Sequence, residues 1–387
     1  MKRIGVLLPA MRMGGAEKIF INFLDDLRKY YEVTVILNKL EGELLQEIPD
    51  DVSVIELKVL DFKSLVKHNI MKLKISSVLF DLYYYIKVKL KKDNEADYRL
   101  LIKQMPKCEN PFDAVIAYVG NVSTQIFNLE HRFNTKTKIA WIHGETTELR
   151  DDGIYEDVFS QFDRIYTVSR VSKEHFISKY PSCRSITEVY YNRIKTEDIL
   201  KKSEERKESI QDDNDTFKIV TVGRLSPEKG QLMIPEIVQT IGSKIPNLKW
   251  YIVGDGPDFD KLTEEVKKRE LHHNIILTGN QMNPYIYIKM SDLYVQPSYE
   301  EGYSTTICEA CILGKTVIGT VTSGGIYEQI EDKKTGFIVP PTVQELSKII
   351  CWSYEHQDVL KKMGTLNTEK DFGHTREIEK LVNFIGV

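Results

Sequence analysis

Long uncharged hydrophobic runs are missing from this chain of 387 residues. No stretch approaches the roughly eighteen apolar residues that a transmembrane helix needs. The apolar run after Met1-Lys2-Arg3 is short and is interrupted at Arg12, so we interpret it as a first strand rather than as a signal peptide. These absences predict a cytoplasmic protein.

Cysteine is scarce as well. The five cysteines are an odd number scattered over a long chain, which excludes a disulfide-stapled secreted domain. Cys308 and Cys311 match C-x-x-C, a spacing compatible with half a zinc site or a redox pair. No second C-x-x-C accompanies them, and free cysteine is among the most buried residue types. We therefore expect two inert core thiols.

A basic excess and the common nucleotide-binding motifs are also lacking. The net charge is -4, which argues against a nucleic-acid partner. Gly314-Lys315-Thr316 resembles the end of a P-loop, but Glu309 stands where the first glycine is required. Asp258-Phe259-Asp260 has the spacing of a metal-binding carboxylate pair, yet acidic residues at the start of a helical run explain it equally. We expect no metal cofactor.

The chain does contain a regular alternation of strand-like and helix-like segments. The predicted strands include Glu32–Leu37, Phe217–Val222 and, as the last of the second half, Thr316–Gly319. This alternation predicts βαβ units and parallel sheets, and the length predicts about two to three domains. A charged stretch poor in apolar residues, 196–216, separates two such series and predicts a linker. The predicted domains are therefore 1–195 and 217–370, with a tail, 371–387, that we expect to cross back to the first domain.

Several polar features follow strands directly, where open α/β sheets bind ligands. Gly14 and Gly15 separate the first strand from the first helix, and their small size permits close approach of a ligand, although a plain βα turn is the simpler interpretation. His143 ends a later strand, and a structural histidine is the alternative there.

A second group of polar features lies in the second half. Ser226 and Pro227 predict the start of a helix, and Arg224 and Lys229 flank it, a combination suited to a diphosphate. The alternative is a capped surface helix with solvated basic residues. The strand-turn-helix stretch Ser298–Ala310 carries Glu301 and Glu309; Ser298-x-x-Glu301 and Thr306-x-x-Glu309 also fit capping boxes.

The segment 58–92 is basic, aromatic and helical in pattern. Such a segment suits an anionic membrane surface. The alternative is an amphipathic helix that covers one face of the sheet with its lysines in water.

Taken together, these motifs resemble the retaining glycosyltransferases of family 4, whose GT-B fold consists of two Rossmann-like doubly wound α/β domains that face a central cleft. The matching residues run in order over nearly the whole chain: Gly14-Gly15-Ala16-Glu17, His143-Gly144, Val168-Ser169, Asn192, Gly223-Arg224-Leu225, Lys229-Gly230, Gly254-Asp255-Gly256-Pro257, Gly279, Pro297-Ser298, Glu301-Gly302 and Glu309-Ala310. Tyr303-Ser304-Thr305-Thr306 departs from the Phe-Gly or Leu-Pro type of segment that is frequent in the family.

The resemblance implies transfer of a sugar from a nucleoside diphosphate sugar, with no metal required. Arg224 and Lys229 would neutralise the diphosphate, His143 would bind a donor-sugar hydroxyl, and Glu301 would face the sugar in a positional or chemical role. These four are the predicted catalytic residues. The predicted donor-binding residues are Gly15, Gly223, Gly302, Tyr303, Ser304, Thr305, Thr306, Glu309, Asn280 and Met282.

The resemblance also implies a hexosyltransferase of the bacterial surface-polysaccharide class. The expected partners are a UDP-sugar in preference to a GDP-sugar and a glycan or lipid-linked acceptor, with peripheral membrane contact through 58–92 at the inner face of the cell membrane. A GT-B epimerase, a phosphorylase and a non-catalytic nucleotide-sugar-binding subunit are the alternatives.

Overall fold

The computed structural model describes residues 1–12, 14–57, 62–72, 74–91, 108–118, 133–143, 153–205, 215–321 and 324–387. The chain divides into two compact units. The N-terminal unit comprises Met1–Asn192 and Thr375–Val387, and the C-terminal unit is the continuous segment Arg193–His374. Parts of the predicted insertion (58–61, 73 and 92), part of the predicted linker (206–214) and Gly144 lie outside the described residues.

The N-terminal unit is built on a seven-stranded parallel sheet of order β3-β2-β1-β4-β5-β6-β7. Its strands are rich in β-branched and aromatic residues, and the central ones are buried, as parallel strands covered on both faces are. The strands are β1 Arg3–Leu8, β2 Glu32–Leu37, β3 Ser53–Glu56, β4 Cys108–Ala117, β5 Phe133–Ile142, β6 Arg164–Thr167 and β7 Thr187–Val189.

The described helices of this unit follow the strands in the expected alternation. They are α1 Gly15–Leu27, α2 Phe62–Met71, α3 Ile75–Lys91, α4 Gly153–Phe159 and α5 Arg170–Lys179. The helix α1 begins at the predicted glycines, with Gly14 as its N-cap. Ser169 caps α5 by accepting a hydrogen bond from the Ser172 amide.

The C-terminal unit repeats the design with a six-stranded parallel sheet of order β10-β9-β8-β11-β12-β13. The strands are β8 Phe217–Val222, β9 Leu248–Val253, β10 Ile275–Gly279, β11 Leu293–Gln296, β12 Val317–Thr320 and β13 Gly336–Val339. The described helices are α6 Thr196–Ser203, α7 Ile234–Ile241, α8 Phe259–Lys268, α9 Tyr285–Met290, α10 Thr305–Ile312, α11 Ile326–Gln329, α12 Val343–Glu355 and α13 Gln357–Thr368. The two predicted parallel α/β sheets are thereby confirmed.

The core of the C-terminal unit explains why β8 and β9 form its centre. Trp250 is fully buried, and its indole N–H donates to the Thr221 hydroxyl at 3.0 Å, which satisfies both buried polar groups. Ile219, Ile252 and Leu293 pack in the same cluster. This rigid base fixes the strand ends from which the polar loops emerge.

The boundary region differs from the sequence-based expectation. Residues 196–203 of the predicted linker form the helix α6, which belongs to the C-terminal unit, and the division between the units falls at Asn192 and Arg193. The segment Thr375–Val387 belongs to the N-terminal unit and contains the helix α14, Glu377–Ile385.

The predicted insertion forms a helical hairpin of α2 and α3, and each of these helices packs chiefly against the other. Within the described residues, every helix is too short or too polar to cross a bilayer.

Candidate active site

Two loops of the C-terminal unit leave neighbouring strands at the centre of its sheet. The first, 223–230, follows β8, and the second, 297–304, follows β11, which pairs with β8. The strand order reverses at this pair, and such a switch point is where open α/β sheets bind ligands. The topology therefore places most of the predicted site residues of this unit at one edge of the sheet.

Gly230 brings the two loops into contact. Its φ of 68° is left-handed, and a Cβ there would collide with the Pro297 carbonyl oxygen. The backbone of the second loop also bonds to the first, since the Tyr299 amide donates to the Glu228 carbonyl at 2.8 Å. Only glycine fits this approach, which aligns the residue before it, Lys229, with the second loop.

Lys229 and Glu301 form a half-buried ion pair where the loops meet. The Lys229 Nζ lies 2.8 Å from Glu301 Oε1, and the two side chains are 24% and 10% exposed. The same oxygen accepts hydrogen bonds from Gln296 Nε2 and from the Ser298 hydroxyl, each at 2.9 Å. Three donors on one carboxylate oxygen fix the orientation of Glu301.

A buried hydrogen-bond chain connects this carboxylate to α10. The Tyr294 hydroxyl lies 2.7 Å from Gln296 Oε1, and Gln296 Nε2 also donates to the Ser298 hydroxyl. Tyr294 is fully buried, and the Thr306 hydroxyl bonds to its phenol oxygen. Burial raises the pKa of Tyr294 far above its ordinary range, so the phenol stays protonated and can donate.

The helix α10 begins at Thr305, with Ser304 as N-cap, so its first amides have no carbonyl partner within the helix. The side chain of Gln329 fixes this N-cap residue. Its amide oxygen accepts a hydrogen bond from the Ser304 backbone amide at 3.3 Å, and its amide nitrogen donates to the Ser304 carbonyl at 2.6 Å. Both capping-box interpretations are therefore wrong, because Thr306 lies inside the helix and no helix starts at Ser298.

Glu309 points to α9 instead of back to the start of its own helix. The Tyr285 hydroxyl donates to Glu309 Oε1 at 3.4 Å. Burial, and then the charge of Glu309, raise the pKa of Tyr285, so this phenol also remains a donor. A carboxylate oriented by a neutral phenol is a suitable acceptor for hydroxyl groups.

The first loop departs from the sequence-based expectation. Pro227–Lys229 form a single 3-10 turn, and the predicted helix does not start there because Gly230 is left-handed; the helix α7 begins only at Ile234. The Ser226 hydroxyl bonds to the Glu228 carboxylate rather than capping an amide. The positive end of a helix is therefore absent from this loop, and its cations carry the electrostatic attraction.

Arg224 follows Gly223 directly and is exposed. Among the described residues no salt bridge to its guanidinium is present, and Gln231 donates to its backbone carbonyl at 2.9 Å. Gly254 and Gly256 pack against this turn so closely that a Cβ on either would collide with the carbonyls of Gly223 and Leu225. The turn is fixed in place while the guanidinium remains available to an anion.

Two of the predicted donor-binding residues, Asn280 and Met282, lie elsewhere on the sheet. They follow β10, which is two strands away from β8, and Met282 is 66% exposed. Gly302 precedes Tyr303, whose hydroxyl lies 3.0 Å from His374 Nε2. The structure thus brings Lys229 together with Glu301, whereas Asn280 and Met282 occupy the outer edge of the sheet.

The N-terminal unit holds the other two predicted residues. His143 follows β5, its ring bonds to the Tyr118 backbone carbonyl, and its Nε2 is buried with no hydrogen-bond partner among the described residues. Burial lowers the pKa of His143 to about 4, so the ring is neutral and Nε2 is an acceptor. Gly15 opens α1, with open space where a Cβ would be.

The C-x-x-C pair lies in the core. Cys308 and Cys311 are fully buried on α10, and burial raises the pKa of the Cys308 thiol to about 12. Elsewhere in the described ranges, no cluster of three or more His, Cys, Asp or Glu side chains has the geometry to hold a metal ion.

Sequence reasoning missed the residues that hold the predicted ones: Tyr285, Tyr294, Gln296, Gln329 and His374. Gln296 carried a signal, because a glutamine at the end of an otherwise apolar buried strand requires a partner. Tyr294 lies in the same strand, and the other three belong to helices and loops distant in sequence, where no local pattern indicates the contact.

The chain is similar in sequence to known glycosyltransferases. A family model described as Glycosyl transferases group 1 matches residues 202–370. A glycosyltransferase of Methanocaldococcus jannaschii is 26% identical over 308 residues, which cover 69% of this chain and 75% of that protein. The N-acetylgalactosamine-N,N'-diacetylbacillosaminyl-diphospho-undecaprenol 4-alpha-N-acetylgalactosaminyltransferase of Campylobacter jejuni is 23% identical over 339 residues, covering 88% of this chain and 86% of that one.

Among solved structures, Anabaena HepE in complex with UDP-glucose superposes with a TM-score of 0.71 at 18% identity, covering 100% of this chain and 99% of that chain. Likeness at this level of identity shows the fold. Two parallel sheets with Rossmann-type strand orders agree with it. Residues 202–370 therefore match the family of group 1 glycosyltransferases, and the chain has the GT-B fold.

Proposed function

We propose that the protein transfers a hexose from a nucleoside diphosphate sugar, UDP-linked in preference to GDP-linked, to a hydroxyl of a glycan or lipid-linked acceptor. The configuration of the sugar is retained, and the product belongs to a capsule or other cell-surface polysaccharide. The observation that carries the proposal is that Arg224 and Lys229 belong to one loop, 223–230, at the switch point of the C-terminal sheet, where Lys229 is fixed by Glu301.

The chemistry of the transfer explains this need for fixed cations. The bond from the sugar C1 to the phosphate oxygen breaks, the bond from C1 to the acceptor oxygen forms, and the acceptor proton moves to the leaving diphosphate. Negative charge grows on the diphosphate, and preorganised donors aimed at such charge supply about 3 kcal/mol each. Arg224, Lys229 and the first amides of α10 fill this role without a metal.

The two glutamates have different tasks in this proposal. Glu309 accepts hydrogen bonds from the ribose hydroxyls, and Tyr285 keeps its carboxylate oriented. Glu301 faces the donor sugar through the oxygen that Lys229, Gln296 and Ser298 do not hold. We assign Glu301 a positioning role, since three donors hold its carboxylate in one orientation.

His143 acts as a hydrogen-bond acceptor in the proposal. Its neutral ring is oriented by the Tyr118 carbonyl, and its buried Nε2 has no partner among the described residues, so a sugar hydroxyl is a suitable donor. Gly15, with open space above its Cα, suits close approach of a substrate oxygen to the start of α1.

The relatives support the nucleotide and the acceptor. Anabaena HepE was crystallised with UDP and with UDP-glucose, and the Campylobacter jejuni relative acts on a diphospho-undecaprenol acceptor according to its name. These properties belong to those proteins, and for this chain they select the ligands to test first.

The proposal is tested with a panel of UDP-, GDP- and ADP-sugars. We expect thermal stabilisation by UDP and its sugars, since a ligand at about 100 times its Kd adds roughly 2.7 kcal/mol, and slow donor hydrolysis without acceptor. Glu309→Ala should weaken UDP binding, whereas Lys261→Ala, at an exposed lysine of α8, should not.

Three outcomes oppose the proposal. Conversion of the donor sugar to its epimer without an acceptor indicates an epimerase, and product formation that requires free phosphate indicates a phosphorylase. Nucleotide binding without turnover of any donor, in the presence of a lipid-linked glycan mixture, indicates a non-catalytic subunit.

A further inference from the structure

Hydrogen bonds between α2 and α3 stabilise the hairpin that these two helices form in the N-terminal unit. The Asn69 side-chain amide donates to Asp81 Oδ2 at 2.8 Å, and Asp81 is completely buried. The Lys74 amide donates to the Asn69 carbonyl at 2.9 Å and closes the turn. These contacts fix which side of α3 faces α2 and which side faces away.

The side of α3 that faces away is apolar. Ile75, Leu79, Leu82 and Ile86 are 69%, 64%, 44% and 46% exposed, respectively. Their spacing of four, three and four residues puts them on one face of the helix, in a row about 16 Å long. Tyr83, 53% exposed, lies beside this row. A helix covering a sheet would bury this face, so the sequence-based alternative for 58–92 does not describe α3.

The hairpin that carries the apolar row is rich in positive charge. The hairpin, 62–91, contains seven lysines and a single acidic residue, the buried Asp81, although the whole chain has a net charge of -4. Lys63, Lys67 and Lys72 are exposed. Exposed apolar side chains without acidic neighbours, flanked by lysines, match the surface of an anionic bilayer.

We propose that the α2–α3 hairpin binds anionic lipid bilayers, with the Ile75–Ile86 face of α3 lying in the plane of the membrane at the level of the acyl chains and the lysines at the headgroups. The helix is too short to span, so it lies in the interface. A second copy of this chain fits less well, because pairing two apolar rows would bring two sets of lysines together. This inference does not depend on the sugar transfer proposed above.

Flotation with vesicles tests the proposal. The full chain should float with vesicles of phosphatidylcholine containing phosphatidylglycerol and should stay at the bottom with phosphatidylcholine alone. Leu79→Glu with Ile86→Glu should lower the partition coefficient more than tenfold. Leu200→Glu, at a leucine of similar exposure on α6, is the matched control and should change nothing.

A charge series separates the lysines from the apolar row. Replacing Lys63, Lys67 and Lys72 by Gln should reduce binding by about fivefold per lysine, the equivalent of about 1 kcal/mol each. Replacing three exposed lysines of the C-terminal unit, Lys261, Lys361 and Lys362, should not. UDP binding, measured in parallel without vesicles, should be the same in all these variants, which shows that they are folded.

Depth is measured with brominated lipids. A tryptophan at position 83 (Tyr83→Trp) should be quenched on binding, whereas one at the exposed position 327 (Tyr327→Trp) should not. Three results would each overturn the membrane assignment. They are equal quenching at both positions, binding that does not depend on the content of anionic lipid, and self-association in solution that Leu79→Glu with Ile86→Glu abolishes.

Discussion

The ion pair between Lys229 and Glu301 allows its structural and functional roles to be measured separately. We consider Lys229→Met, Glu301→Gln and the double variant. Lys229→Met leaves a carboxylate that is 10% exposed with only the neutral donors Gln296 and Ser298. Glu301→Gln keeps a carbonyl oxygen for those donors and removes the charge, so it should be the milder change.

The magnitude follows from the partial burial of the pair. Breaking a fully buried pair costs about 3–5 kcal/mol, whereas exposed pairs contribute about 0–1 kcal/mol. With side chains 24% and 10% exposed, we expect Lys229→Met to lower the free energy of unfolding by about 1–3 kcal/mol. The double variant should recover most of this loss, because no charge is then left unpaired.

Nucleotide affinity should behave differently from stability. Loss of a charge-assisted hydrogen bond of about 1.5–3 kcal/mol weakens UDP binding by roughly 10- to 150-fold. Because Lys229 contacts the diphosphate directly in the proposed complex, as well as Glu301, the double variant should bind UDP as poorly as Lys229→Met does. Thermal unfolding and titration calorimetry with UDP supply the two readouts.

The contrary result is specific. If the double variant regained both stability and UDP affinity, Lys229 would serve only to hold Glu301, and its assignment to the diphosphate would be wrong. Lys261→Ala again supplies the control for a change of surface charge.

Three further predictions concern His143, Gly230 and Gln329. Burial lowers the pKa of His143 to about 4, whereas an unfolded histidine titrates near 6.5, so the unfolded chain takes up this proton first. Stability that is present above pH 6.5 is therefore lost as the pH falls towards 4. Between pH 7 and 5 the free energy of unfolding should fall by about 2 kcal/mol, and unfolding measurements at both pH values should show no such loss for His143→Gln. Gly230→Ala should lower the free energy of unfolding more than Gly279→Ala, because the two glycines have φ values of 68° and 66° but only a Cβ at position 230 would collide with Pro297. Gly279→Ala should cost about 1–2 kcal/mol for its left-handed backbone alone. Equal losses for the two variants would contradict the close approach of Gly230 to Pro297. Gln329→Leu leaves the buried Ser304 amide without its hydrogen-bond partner, so the free energy of unfolding should fall by about 1–3 kcal/mol, and UDP binding, measured by calorimetry, should weaken with it.

The fold was readable from the sequence because each strand combines β-branched residues with a polar turn at its end. The predicted strand Phe217–Val222 has the bounds of β8, and Glu32–Leu37 has those of β2. The strand β13, Gly336–Val339, escaped prediction because it is four residues long and begins with glycine.

The candidate site was predictable where charge and position coincide. Lys229 and Glu301 belong to loops that follow neighbouring strands, and the order of strands in a doubly wound sheet determines that these loops meet. The prediction of a helix start at Ser226 was wrong because Gly230 must fit against the backbone of Pro297. Pro297 lies 71 positions after Ser226, so the local capping pattern contains no information about this contact. The clamp of Gln329 on Ser304 is likewise a long-range contact with no local signature.

The helix α14 has a consequence for the order in which the chain acquires its structure during synthesis. Its Glu377 accepts from the Tyr191 amide, Lys380 donates to the Val189 carbonyl, and Phe384 lies under the Arg164 guanidinium. The N-terminal unit therefore cannot finish its packing until all of Arg193–His374 has left the ribosome, whereas that segment is continuous and can fold as it emerges. Nascent chains stalled before residue 375 should accordingly contain a protease-resistant C-terminal unit beside an N-terminal unit that is still cleaved.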